Sequence, residues 1–235
     1  MANTNATAIS GAFNLAFAIW LAGPISGGHV NPIVTFLMAA QRKISLLLAL
    51  AYIISQVVGS IIGSLIGRAI LTGDSNVVKD DSIVGMTVVI TSNLTVAFFV
   101  ETAAAFYFSL VVLSVTDALR KQKPSWDGSR AAIAALFIGL ATIPSTAICV
   151  RVICHTNISS GSLNPARSLG PAIANGNYND LWIFIVAPFV GALVALLVYS
   201  FALDAFMTRD RIKEYFACRP IDDPSDDESS QRSLE

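Results

Sequence analysis

Five apolar segments, each of about the length that crosses a bilayer, constrain this sequence more than any other feature. They lie at residues 6–23, 44–67, 94–116, 131–150 and 181–203, and Glu101 is the only charged residue within them. A spanning helix needs about 20 mainly apolar residues. Over all 235 residues, 54% are hydrophobic and 13% charged, whereas a soluble domain has about 25% charged residues. The sequence therefore predicts an all-α membrane protein with five full spans.

The start of the chain and its polar residues exclude several other classes of protein. The first apolar segment lacks the basic start and the cleavage site of a signal peptide, so we expect it to remain part of the fold. The formal net charge of −1 gives no indication of a nucleic acid partner. Cys149, Cys154 and Cys218 lack the spacing of metal ligands or of a CxxC pair. We expect no disulfide, no metal and no other cofactor.

The distribution of basic residues predicts the orientation in the membrane. Three loops, at 42–43, 120–130 and from 209 onward, hold 11 of the 15 Lys and Arg residues, and such an excess is typical of cytoplasmic loops. We therefore expect the N-terminus outside and the C-terminus in the cytoplasm, in a multi-pass protein of the plasma membrane. Three N-glycosylation sequons begin at Asn5, Asn93 and Asn157. All three lie on the predicted outer side, so we expect a glycoprotein.

A short sequence containing an Asn-Pro pair occurs twice within this apolar chain. Residues 26–36 are SGGHVNPIVTF, and residues 159–169 are SSGSLNPARSL. Each copy follows one apolar segment and precedes another, and the two copies lead to loops on opposite sides of the membrane. Inverted repeats whose hydrophobic segments are interrupted by Gly and Pro indicate a site near the bilayer midplane.

The chemistry of the Asn-Pro pair predicts a helix start in each copy. Asn is a favoured N-cap, and Pro is favoured at the first helical position. A helix from Pro32 to Ala40 would be about 13 Å long, roughly half the hydrocarbon thickness. Two half-helices that meet by their N-termini would bring together two positive dipole ends and the amides of Asn31 and Asn164. Such a constriction orients water by its oxygen, interrupts a proton wire and repels cations, so we predict a pore for neutral solutes.

At these residues the sequence resembles the aquaporin, or major intrinsic protein, family, and NPARSLGPA is its most specific match. The family's two NPA boxes correspond to Asn31-Pro32-Ile33 and to Asn164-Pro165-Ala166, so Ile33 departs from the usual Ala. The resemblance extends from about residue 11 to residue 205. It implies an aquaporin-like channel domain at 1–218 with two re-entrant half-helices. It also implies passive conduction of water and small neutral solutes, a homotetramer in the lipid bilayer, and no enzyme activity. The acidic residues 219–235 are expected to form a disordered cytoplasmic tail.

The resemblance also implies a selectivity filter. Arg167 matches the filter arginine of the family, and an Arg in an apolar segment is expensive unless it faces water or a partner. Ungapped counting from the two boxes, as the resemblance implies, places the other three filter positions at Gly11, Val152 and Gly161, with Phe13 and His155 as nearby alternatives if the count shifts. All three are small or apolar, which resembles the aquaporin-8-like members that pass ammonia as well as water. Ser168 stands where glycerol-passing members carry Asp, which favours the water type.

Two further features lie within the apolar segments. Glu101 matches the family's structural Glu, and we expect its carboxylate to accept bonds from the loop before a half-helix; a proton relay is the alternative. The second feature is a pair of overlapping GxxxG patterns formed by Gly59, Gly63 and Gly67. These patterns predict a close helix-packing face.

The two halves of the repeat differ in length. Two apolar segments lie between residue 94 and Asn164, but only one precedes Asn31. We therefore expect an N-terminally truncated form that lacks the first transmembrane helix of its family. This expectation leaves open a non-conducting isoform that regulates full-length subunits. A secondary transporter is a further alternative, although it would need charged ion ligands and only Glu101 and Arg167 are available.

Overall fold

The structure is a computed structural model that describes residues 4–72, 85–120, 128–151 and 158–203. Val152, the sequon at Asn157 and the tail at 219–235 lie outside the described residues. The helices are α1 (Thr4–Ser26), α2 (Pro32–Ala40), α3 (Leu46–Thr72), α4 (Leu94–Arg120), α5 (Gly128–Arg151), α6 (Pro165–Asn175) and α7 (Leu181–Val198). A π-helical turn, Tyr199–Leu203, follows α7. Residues Met1–Leu196 form one unit and Leu197–Glu235 a second.

Five of these helices are long and apolar enough to cross a membrane. Their apolar stretches are Ala8–Ser26, Leu46–Leu71, Leu94–Thr116, Ala131–Cys149 and Leu181–Phe201. The prediction of an all-α membrane protein with five spans is therefore confirmed. The first span runs to Ser26 rather than ending at residue 23, because Pro24 lacks only its own N–H and the Gly27 N–H still bonds to the Gly23 carbonyl at 2.9 Å.

Helices α2 and α6 are too short to cross a membrane. They contain 9 and 11 residues, which correspond to about 13 and 16 Å, or half of a bilayer core. The prediction of two half-helices is confirmed. The order of a span, a half-helix and a span occurs first as α1, α2 and α3 and again as α5, α6 and α7. Among the described helices, α4 has no counterpart in the first half.

The spans pack closely where small residues face one another. An ideal Cβ at Gly139 in α5 would lie 2.7 Å from the Cβ of Ala16 in α1. At Gly191 in α7 it would lie 2.8 Å from the backbone nitrogen of Phe106 in α4. Glycine at these crossings lets the helix backbones approach one another closely, as in other membrane bundles. These crossings fix α1 against α5 and α4 against α7.

The GxxxG row of α3 contacts no other described helix of this chain, so the close packing face stays a prediction. At Gly59, Gly63 and Gly67, no described atom lies within 4 Å of the place where a Cβ would be, apart from the helix itself and chain neighbours. The helix instead contacts α6 through Ser60, which packs against Gly170. Helices α1 and α3 also bury much less of their surface than α4, α5 and α7.

Candidate pore site where the two half-helices meet

Both half-helices begin with the same capping chemistry. Asn31 has extended backbone angles, and its Oδ1 accepts a bond from the Ile33 N–H at 3.1 Å. Asn164 is also extended, and its Oδ1 accepts from the N–H groups of Ala166 at 3.1 Å and Arg167 at 3.2 Å. A proline occupies the first helical position in each case. The predicted helix starts at the two Asn-Pro pairs are therefore confirmed.

The two caps also hold each other. Nδ2 of Asn31 donates to the Leu163 carbonyl at 2.8 Å, and Nδ2 of Asn164 donates to the Val30 carbonyl at 2.9 Å. Each acceptor is the residue before the opposite asparagine. This reciprocal pair joins segments more than 130 residues apart, and each bond contributes about 1 kcal/mol net. The N-termini of α2 and α6 therefore meet at these four residues.

This arrangement leaves donors for a solute. A side-chain amide has two N–H hydrogens, and each asparagine gives one of them to the opposite loop. The second hydrogen of each amide has no acceptor among the described residues. Asn31 is 3% exposed, whereas Asn164 is half-buried. Ile33 and Ala166, which complete the two boxes, are buried beside them, as are Pro32 and Pro165.

The turn before α6 contains an unusual backbone conformation. Leu163 has a positive φ of 55°, which costs about 1–3 kcal/mol for a residue other than glycine. The Leu163 carbonyl is the acceptor for Asn31, so the bond between the half-helices opposes this strain. The hydroxyl of Ser162 accepts from the Asn164 N–H at 3.4 Å and contacts the hydroxyl of Ser168.

Glu101 of α4 accepts bonds from the loop before α6. Its Oε1 accepts from the hydroxyl of Ser159 at 2.7 Å and from the Gly161 N–H at 3.0 Å, and its Oε2 accepts from the Ser162 N–H at 3.1 Å. The side chain is fully buried. The carboxylate thus satisfies donors of an irregular segment that lies between helices.

The residues assigned to the filter do not all lie in the described site. Gly161 has a φ of 67°, and an ideal Cβ there would lie 3.2 Å from the Thr146 Cα in α5, so both the conformation and the space require glycine. Arg167 lies on the first turn of α6 with an exposed side chain. Gly11 lies on α1, and apart from that helix and the chain neighbours no described atom lies within 4 Å of the place where its Cβ would be. Val152 lies outside the described residues. Of the four predicted filter positions, Gly161 and Arg167 therefore lie on the same segment, the loop before α6 and the first turn of α6.

A glutamine that the sequence reasoning missed holds the loop before α2. Nε2 of Gln56 in α3 donates to the His29 carbonyl and to the hydroxyl of Thr35, both at 2.9 Å. The His29 ring contacts the same hydroxyl at 3.2 Å. The sequence could have indicated this role, because Gln56 is the only side-chain amide in the apolar segment 44–67. It holds the first loop as Glu101 holds the second.

A second backbone segment also fixes the loop before α6. The Ser160 N–H donates to the Val88 carbonyl at 3.1 Å, and the Val88 N–H donates to the Ser160 hydroxyl at 3.0 Å. The neighbouring pair, Val89 and Ser159, forms an isolated antiparallel bridge. On the other side, the Cys149 carbonyl accepts from the Ile158 N–H at 3.2 Å. These contacts are made mainly by the backbone, and no side-chain motif predicts them.

The fold and the site define a polytopic membrane protein in which two re-entrant half-helices meet by their N-termini. A sequence profile of the family described as Major intrinsic protein matches residues 1–199. The chain is 37% identical to Glycerol uptake facilitator protein-like 6 of Lactiplantibacillus plantarum, over 83% of this chain and 84% of that protein. The chain belongs to the major intrinsic protein family.

Other relatives and a solved structure agree. The chain is 34% identical to an Aquaporin PIP-type of Atriplex canescens, over 80% of this chain and 63% of that protein. It is 35% identical to Aquaporin-4 of Rattus norvegicus, over 89% of this chain and 60% of that protein, so it spans less than two thirds of these two relatives. The X-ray structure of the aquaglyceroporin from Plasmodium falciparum has the same fold, with a TM-score of 0.72 and 22% identity over 88% of this chain and 85% of that chain. The family consists of passive membrane channels and not of enzymes.

Proposed function

We propose that this chain forms a passive pore that conducts water across the membrane. The observation that carries the proposal is the reciprocal pair of bonds from Asn31 to the Leu163 carbonyl and from Asn164 to the Val30 carbonyl. These bonds leave one hydrogen of each side-chain amide for a passing solute. A water molecule that accepts from both amides has its oxygen fixed and both of its own hydrogens directed away. Adjacent waters then cannot form the continuous donor chain that carries protons.

Charge selection in the proposed pore rests on Arg167 and on the two helix N-termini. The positive ends of α2 and α6 repel cations at their meeting point, and Arg167 on the first turn of α6 adds a full charge. Gly161 and Gly11 contribute no side chain, and Val152 is apolar, so we propose a wide filter with few donors. Such a filter also passes ammonia and other small neutral solutes.

Glycerol is the second candidate solute. The relative from Lactiplantibacillus plantarum carries glycerol uptake in its name. Against glycerol stands Ser168, whose hydroxyl is buried and contacts Ser162 rather than facing a solute. Water therefore remains the first proposal.

We also propose the placement of the protein. The loops at 42–43 and 120–130 and the C-terminus face the cytoplasm, the N-terminus lies outside, and the membrane is the plasma membrane. The chain assembles as a homotetramer, in which the exposed apolar faces of α1 and α3 contact other helices or lipid. These proposals rest on the basic residues of the loops and on the similarity to the family.

Stopped-flow shrinkage of proteoliposomes tests the proposed function. Asn164→Asp keeps the capping oxygen but removes the Nδ2 donor, so we expect water flux to fall at least several-fold while the protein stays folded. Asn14→Ala serves as the matched control, because it removes an exposed side-chain amide of α1 that donates to the Ser10 hydroxyl. We expect its water flux to equal that of the wild type. Equal flux in Asn164→Asp and the wild type would contradict the assignment.

The same assay separates the alternatives. Gradients of glycerol and of ammonia give the permeability of each of these solutes relative to that of water. Flux that saturates with concentration or requires an ion gradient identifies a transporter. A folded wild-type chain that gives no flux alone but lowers the flux of a co-reconstituted homologue identifies a regulatory subunit.

A further inference from the structure

Arg68 is a charged residue in a membrane span that the proposed function does not use. It is the only charged residue in the apolar stretch Leu46–Leu71 of α3. Arg68 lies near the end of α3, where a charged side chain reaches the membrane interface or pairs with a polar partner. The contacts of Arg68 therefore indicate what it does.

The partner of Arg68 is the end of the second half-helix. Its Nη1 donates to the carbonyl oxygen of Ala174, the next-to-last residue of α6. The last carbonyls of a helix lack intrahelical donors. The Asn177 N–H donates to the Ala172 carbonyl and the Gly176 N–H to the Ile173 carbonyl, and Arg68 donates to the Ala174 carbonyl. A cation at a helix C-terminus also interacts favourably with the helix dipole.

The middle of α6 is fixed by the same neighbouring helix. An ideal Cβ at Gly170 would lie 2.6 Å from the carbonyl carbon and oxygen of Ser60 in α3, so the two backbones are in direct contact. Pro171 lies next to this contact. Because proline has no N–H, the Arg167 carbonyl loses its intrahelical donor, and α6 is weaker there than an ordinary helix. External contacts therefore determine where this half-helix lies.

We propose that Arg68 is a positioning residue that sets the selectivity of the pore through α6. This proposal deepens the proposed function and rests on it. Helix α6 has 11 residues, or about 16 Å; Asn164 holds its start and Arg68 holds its end. Because α6 has only about three turns and stays helical through Pro171, a displacement of its end also shifts the first turn that carries Arg167. Arg68 thus fixes the width of the constriction without touching the solute.

The permeability ratio of two solutes tests this proposal. Arg68→Met removes the donors and the charge but keeps much of the side-chain length, whereas Arg68→Lys keeps a cation and donors. We expect Arg68→Met to raise the ratio of urea to water permeability several-fold in proteoliposomes, and Arg68→Lys to restore a ratio near that of the wild type. Ile66→Met changes an exposed side chain of α3 and controls for the substitution itself. A loss of folded protein lowers both fluxes and leaves their ratio unchanged.

Hydrogen exchange provides a readout that does not depend on conduction. In nanodiscs, Arg68→Met should speed amide exchange in peptides that cover α6, while peptides of α2 exchange as in the wild type. An unchanged flux ratio in folded, conducting Arg68→Met overturns the proposal, whatever the α6 exchange, as does Arg68→Lys behaving like Arg68→Met in both assays. If the wild type passes no solute, the proposed function fails and faster exchange of α6 still supports the positioning role.

Discussion

The carboxylate of Glu101 is the acceptor that holds the loop before α6, and its removal has a predictable cost. In Glu101→Ala the N–H groups of Gly161 and Ser162 lose their buried acceptor. Each buried donor left unsatisfied costs about 1–3 kcal/mol. We expect a clear drop in the thermal unfolding temperature of the purified protein in detergent, together with lost flux.

A serine on the same helix provides the control for this prediction. Ser109 is fully buried in α4, and its hydroxyl has no hydrogen-bond partner among the described residues. Ser109→Ala therefore removes no bond and should leave the unfolding temperature nearly unchanged. If Glu101→Ala and Ser109→Ala had equal effects, the loop would not depend on the carboxylate.

Single residues were predictable where their chemistry is local. Asn31 and Asn164 precede proline, and capping involves only the next three residues, so the sequence contains the whole motif. Gln56 and Ser160 bond to residues 27 and 72 positions away, and nothing in the local pattern names those partners. The positive φ of Leu163 was also not predictable from the sequence. The Leu163 carbonyl accepts a bond from Asn31, which lies in the other half of the chain.

At the scale of elements, the contact between α3 and α6 leads us to predict opposite effects on stability when each of two glycines is replaced by alanine. Gly170 lies against the Ser60 backbone, so Gly170→Ala forces the helices apart and should destabilise the protein by about 1–3 kcal/mol. Gly59 has open space around its Cβ position, so Gly59→Ala should be neutral or should stabilise α3 by up to about 1 kcal/mol. Thermal unfolding of the two variants in the same detergent measures the difference. Equal destabilisation by both would show that the glycine row of α3 is packed in the assembled protein.

Helix existence was predictable from the sequence, whereas helix packing was not. The length and apolarity of a segment suffice to define a span in a bilayer, so all five spans were predicted. Which face of α3 meets α6 depends on the shape of α6, and Ser60 rather than the GxxxG row makes the contact. The end of α1 was missed because a glycine and a proline indicate a break, but the Gly27 N–H continues the bonding pattern for three more residues.

At the scale of the whole molecule, the pore depends on the two half-helices entering from opposite sides. Because α3, α4 and α5 cross the membrane between the two half-helices, an odd number of crossings reverses the direction of the second one. The N-termini of α2 and α6 can then meet, and the bonds between Asn31 and Leu163 and between Asn164 and Val30 close the contact. Topology, rather than any single residue, therefore makes the reciprocal caps possible.

Single-cysteine labelling tests this topology. Ser45 lies between α2 and α3, Asn179 lies between α6 and α7, and both are exposed. The chain for the test carries serine at Cys154 and Cys218, and its remaining Cys149 is fully buried. A membrane-impermeant maleimide should label Asn179→Cys in intact cells but should label Ser45→Cys only after permeabilisation, because three crossings separate the two loops. Labelling of both positions from the same side would place both half-helices on one face of the membrane, where their N-termini could not meet at the midplane.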